Sequence, residues 1–173
     1  IKIIFINQFG FMPQRCGHRM PEDMEFMDIR KGSDVEFGQS IYEPFGIAQL
    51  EPLTFGGICV FSSVCGCLGF LRDISGEEDI KNVIVADYTN LETHSQIDIE
   101  DLMQINRSVR DFIEANISEK VAMQICSRLP KNEAEIESML LTGYELAKNM
   151  NWDVVVNNYL LRSLRNIPNK VSV

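Results

Sequence analysis

Residues 34–61 read Asp34-Val-Glu-Phe-Gly-Gln-Ser-Ile-Tyr-Glu-Pro-Phe-Gly-Ile-Ala-Gln-Leu-Glu-Pro-Leu-Thr-Phe-Gly-Gly-Ile-Cys-Val-Phe61. Asp34 to Ser40 is predicted to be a short buried strand. Gly56-Gly57 marks a turn, and Ile58-Cys59-Val60-Phe61 follows as a second strand. Between them the Phe45-Gly46 bend opens an apolar helix over 46–55. Glu43 lies in the loop before that helix and Glu51 within it, eight positions apart. Pro52 removes one backbone hydrogen bond and is expected to kink the helix just after Glu51.

Working outward, Ile1-Lys2-Ile3-Ile4-Phe5-Ile6 reads as a buried strand, and a helix is expected over about 21–31. Further strands are expected over 58–62 and 82–86, the latter with the near-continuous apolar run of a strand covered on both faces. Alternation of strands and helices implies an α/β fold with a parallel sheet flanked by helices. The remainder is predicted to be helical. Asp98 is a candidate cap for a helix carrying Leu102, Ile105, Val109, Phe112 and Ile113. Ser118 is a candidate cap for a second, with Val121, Ile125 and Leu129. A third carries Ile136, Met139, Leu140, Gly143, Leu146, Ala147 and Met150. Asn151 opens a last one with Trp152, Val155, Val156, Tyr159, Leu160 and Leu164, ended by Pro168. These one-sided stripes are expected to be core.

The composition excludes several classes. The 173 residues suffice for one domain with a real core, and 45% hydrophobic with 24% charged residues is ordinary for a globular protein. A net charge of −9 argues against nucleic-acid binding, because a phosphate backbone wants a basic face. The longest apolar runs, such as Ile58–Phe61 and Val154–Val156, are far short of a membrane span. The first residues carry no secretory leader pattern. Five cysteines (Cys16, Cys59, Cys65, Cys67 and Cys126) form no framework spacing, which points to a reducing, cytoplasmic setting.

Chemistry concentrates at 43–51. A loop acid at the carboxyl end of a strand faces the edge where open α/β sheets bind ligands. A helix acid offers a second acceptor, and amides at the helix N-terminus face an anion. Sugar hydroxyls, ribose hydroxyls and a diphosphate meet those three features together, so a nucleotide sugar is the first hypothesis. The bland readings are a solvated or capping Glu43, a Gly46 that only permits the bend, and an ordinary exposed helix acid at Glu51. Phe45 is expected to pack. The Cys65-Gly66-Cys67 segment is alternatively a redox or metal site, although two thiols are few for zinc. His18 and His94 are isolated, and Arg15 with Arg19 is the one cation cluster near the loop.

The run Ser40-Ile41-Tyr42-Glu43-Pro44-Phe45-Gly46 through Glu51, followed by Gly56-Gly57, resembles the E-x7-E signature of retaining GT-B glycosyltransferases. Glycogen and starch synthases and sucrose-phosphate synthases carry that signature. Ser63 to Phe70 stands where the family has a glycine-rich loop, with Cys67 replacing the second glycine of its pair. Asn151-Trp152 is similar to the family's C-terminal Trp-containing helix. The resemblance implies a single Rossmann-like nucleotide-sugar-binding domain over 1–173, one half of a GT-B fold and a piece of a longer two-domain enzyme. It implies transfer of a hexose, glucose by association, from a UDP- or ADP-sugar to an acceptor hydroxyl held by a second domain. By the same resemblance Glu43 is the catalytic acid group, holding sugar hydroxyls and stabilising the cationic anomeric carbon. Gly46, Ile47 and Gly66 offer amides near the diphosphate beside Phe45, and Glu51 holds the ribose. No metal or cofactor, nucleic acid or membrane span is implied. The family's upstream Arg/Lys pair is not recognisable. The alternative is a non-catalytic or degenerate nucleotide-sugar-binding module, and a third reading is a helical interaction domain on 97–166 with one exposed apolar face.

Overall fold

A computed structural model describes residues 2–3, 21, 23–40, 43–89, 100, 103 and 105–166. The chain divides into two compact units, Ile1–Ser33 and Asp34–Val173, and each is described by itself. Of the strand expected over 1–6 only Lys2 and Ile3 are described, and both are exposed outside any strand. The loop with Cys16, His18, Arg15 and Arg19 lies outside the described residues. The helix expected over 21–31 is shorter, α1 Phe26–Lys31, with the Asp28 carboxylate accepting from the Glu25 amide at its start.

The second unit is built on a three-stranded parallel sheet in the order β1 (Val35–Gly38), β2 (Ile58–Ser62), β3 (Val83–Ala86). Val35 pairs with Ile58, and Cys59 with Val83, so the strands run in register from a common amino edge to a common carboxyl edge. Parallel neighbours need crossovers. The first is α2 (Ile47–Leu50) continued by a 3-10 helix (Glu51–Phe55), and the second is α3 (Gly66–Ser75). The predicted kink takes this form: the α-helical pattern stops at Leu50, and Pro52 sits in the first turn of the 3-10 helix, where its missing N–H costs nothing.

Alternation along β2 divides the core. Cys59 and Phe61 pack with Leu50, Leu53, Leu68 and Leu71 on one face. Ile58 and Val60 pack with Ile84, Ile117, Val121 and Met139 on the other. Both faces are covered, so all five β2 residues are buried. Burying a side chain such as Phe61 stabilises the fold by about 1.5–3 kcal/mol. β1 is not the buried strand expected: it is the edge of the described sheet, and Phe37 stays 64% exposed.

Two long helices cover the second face. α4 (Arg107–Arg128) begins at Asn106, whose side chain accepts from the Val109 amide at 3.1 Å. It runs straight through Ser118, so the two helices expected there are one; the expected cap at Asp98 lies outside the described residues. α5 (Glu133–Ala147) is capped by Asn132 and crosses the 3-10 helix closely, because Gly143 brings its backbone against the Leu53 carbonyl. Fully buried Asn82 ties this crossing together: its Nδ2 donates to the carbonyls of Gly56 (3.2 Å), Gly57 (3.4 Å) and Met139 (3.2 Å). A 3-10 turn (Lys148–Met150) leads to Asn151, which accepts from the Asp153 amide as expected. The last helix is α6 (Trp152–Val155), a π-helical turn (Val156–Leu160) and α7 (Leu161–Arg165). Its stripe is not core. None of its residues is buried, and Trp152 is 81% exposed. Pro168 lies outside the described residues.

Candidate functional site

The carboxyl edge of the sheet is laced together by the segments that leave β1 and β2. Beyond β1, the Ser40 carbonyl accepts from the Ser62 hydroxyl at 2.8 Å. Glu43 then forms a single parallel bridge with Cys65, extending the β1–β2 pairing past the strands. The Gly66 amide donates to the Glu43 carbonyl at 3.1 Å, and the Cys67 amide to the Phe45 carbonyl at 2.8 Å. Glycine at 66 is a steric requirement, since a Cβ there would lie 1.9 Å from the Pro44 carbonyl oxygen. The 43–46 loop is therefore a clamped element, and the half-buried Glu43 carboxylate stands on it.

The candidate residues fall into two groups. Glu43, Phe45, Gly46 and Gly66 are brought together. Phe45 packs its ring edge-on to Phe70 at 5.4 Å, which agrees with a packing role. Gly46 is buried with φ +89°, a left-handed conformation that side chains rarely adopt, and it turns the chain into α2. The Gly46 and Ile47 amides have no hydrogen-bond partner among the described residues, and the Ile47 side chain is 64% exposed. Glu51 belongs to the second group: it is half-buried at the far end of α2, where the helix changes type. Residues 63–70 are not the loop expected, because α3 begins at Gly66. The Gly66 amide, expected near the diphosphate, is occupied by the Glu43 carbonyl, and the neighbouring Cys67 amide by that of Phe45.

Electrostatics at the clamp are shaped by burial. The Cys67 thiol is pushed up to about 12, first by burial, then by the neighbouring Cys65 thiol, with the Glu43 carboxylate adding to the effect. The Cys67 thiol is therefore a neutral packing group here, and nucleophilic chemistry would need a lowered thiol instead. Among the described residues no group of three or more His, Cys, Asp or Glu is placed to hold a metal ion. His94 and His18 lie outside them.

Sequence reasoning missed Gln49, whose side chain folds back from α2 to Ser40, with Nε2 donating to Oγ at 3.3 Å. It also missed Asp87, directly after β3, which accepts from Ser63 Oγ (2.7 Å), Thr89 N (3.0 Å) and Thr89 Oγ1 (2.6 Å). A signal existed for Asp87: an acid following a buried strand lies at the ligand-binding edge of an α/β sheet. Tyr88 crosses to the end of β1, donating to Gln39 Oε1 at 2.7 Å. A separate cleft of about 200 Å³ is lined by Leu68, Arg72, Asp79, Val85, Gln124 and Arg128. Its guanidinium is committed to the fold: Arg128 donates to the Ile80 and Val83 carbonyls at 2.8 and 2.7 Å and pairs with Asp79.

No helix among the described residues is long and apolar enough to cross a membrane. No protein-family model matches this chain, and no curated protein matches it.

Proposed function

We propose that this chain is the donor-binding half of a retaining hexosyltransferase. It would hold a nucleoside-diphosphate sugar, with UDP or ADP as nucleotide and glucose as the sugar by association. An acceptor hydroxyl held by a second domain would attack on the face from which the phosphate leaves. The observation that carries this reading is the clamped Glu43. A parallel bridge to Cys65 and the Gly66 hydrogen bond fix it at the carboxyl edge of a parallel sheet. Supporting it are the amides of Gly46 and Ile47, three and four positions after Glu43, which have no partner among the described residues.

In this reading Glu43 accepts hydrogen bonds from sugar hydroxyls and stabilises positive charge developing at the anomeric carbon. The Gly46 and Ile47 amides meet phosphate oxygens, Phe45 and Gly66 hold the loop in shape, and Glu51 accepts from the ribose hydroxyls. The site supplies charge stabilisation rather than a strong base, and it needs no cofactor beyond the donor. A cytoplasmic setting fits the reduced thiols of Cys65 and Cys67.

One observation favours the alternative, a non-catalytic module that binds the same ligand. The Gly66 and Cys67 amides are spent on the 43–46 loop, which leaves fewer donors for the charge of a departing diphosphate.

Calorimetric titration of the chain with UDP, ADP and GDP tests the shared claim. Binding of one nucleotide, weakened about 10- to 100-fold by Glu51→Ala as expected for charged hydrogen bonds, supports it. No binding at millimolar nucleotide, or binding indifferent to Glu51→Ala, contradicts it.

A further inference from the structure

We propose that Gln49 is a second ligand-reading side chain, working beside Glu43 on the hydroxyls of the bound sugar. The proposal rests on Glu43 being the sugar-binding acid.

Two glycines open the space that Gln49 fills. A Cβ built on Gly38, the last residue of β1, would lie 2.3 Å from Gln49 Cγ. One built on Gly46 would lie 2.7 Å from Gln49 Oε1 and 3.0 Å from Glu43 Cγ. The carboxamide of Gln49 and the side chain of Glu43 therefore converge over the bare face of Gly46. A stem of the same length without polar atoms would fill the groove equally well, so packing alone does not call for an amide.

The hydrogen-bond inventory points the same way. A carboxamide carries two N–H donors and a carbonyl acceptor. Among the described residues Gln49 makes one such bond, the 3.3 Å contact from Nε2 to Ser40 Oγ. One N–H and the carbonyl oxygen have no partner among the described residues and are available to a ligand hydroxyl. Glu43, when ionised, only accepts. A pair of neighbouring hydroxyls on a hexose must both donate and accept, and Gln49 supplies the donor that a carboxylate lacks.

The test uses the 173-residue chain and two probe pairs, UDP-glucose with UDP and ADP-glucose with ADP. Gln49→Met keeps the length of the side chain and removes its polar atoms; Gln49→Glu keeps the shape and removes the donors. The expected result is that each variant weakens the glucose-bearing probe about tenfold, the loss of one hydrogen bond, while the parent nucleotide changes less than twofold. Thermal melts identify a variant that does not fold, and the other then decides. If Glu43→Ala weakens the sugar nucleotide selectively and the Gln49 variants do not, this proposal is overturned and the donor-site reading stands. If the wild-type chain binds neither sugar nucleotide, both fall together.

Discussion

Gly66 and Glu43 are joined by a 3.1 Å hydrogen bond from amide to carbonyl, and the bond exists because residue 66 has no side chain. With a Cβ 1.9 Å from the Pro44 oxygen, the loop bearing Glu43 could not close on the start of α3. Gly66→Ala should therefore cost about 2–4 kcal/mol by overpacking. Gly69, in the same helix, faces open space within 4 Å, and Gly69→Ala should stabilise by about 0.5–1 kcal/mol through helix propensity. Urea unfolding of both variants checks the contrast. Equal effects would show that Gly66 is a helix glycine like any other.

Asn82 holds three carbonyls from two different segments with one amide nitrogen. Asn82→Ala leaves those buried acceptors without a donor and should cost about 3 kcal/mol. Asn82→Asp should be no better, since a carboxylate cannot donate. Denaturant midpoints read both, and a loss below about 1 kcal/mol for Asn82→Ala would mean that water replaces the side chain.

Cys67 gives a pH signature. Its folded-state value of about 12 lies above the ordinary thiol value of 9.0, so the native state favours the protonated form. That contribution is complete below pH 9 and is lost as pH rises through the folded value. The stability advantage of wild type over Cys67→Ala should shrink as pH rises from 9 toward about 12, by at most about 1.4 kcal/mol per pH unit. Parallel stability curves would contradict the assignment. In the folded protein an alkylating reagent should modify exposed Cys126 and spare Cys65 and Cys67, which mass spectrometry resolves.

The sheet was legible in the sequence because its signal is local. Ile58–Ser62 forms the strand expected over 58–62, since an apolar run after a Gly-Gly turn has few alternatives. Ser118 misled because a hydroxyl suits a helix cap; in mid-helix it bonds back to the Ala115 carbonyl at 2.8 Å instead. The final stripe misled differently. Periodicity at Trp152, Tyr159, Leu160 and Leu164 reports an amphipathic helix but not what covers it, and all four are exposed. At the site, the acids at 43 and 51 and the bend at Gly46 could be read directly. The clamp between Glu43 and Cys65 and the fold-back of Gln49 could not, because each depends on segments that meet only in the folded chain.

The central claim divides the ligand between two acids, and one set of titrations tests it most directly. Wild type and Glu43→Ala are titrated with UDP-glucose and UDP, and with ADP-glucose and ADP. The expected result is a loss of about tenfold or more confined to the sugar-bearing probe of one pair, with the parent nucleotide bound as before. An equal loss for both members of that pair, or no effect of Glu43→Ala on either, would contradict the assignment of Glu43 to the sugar.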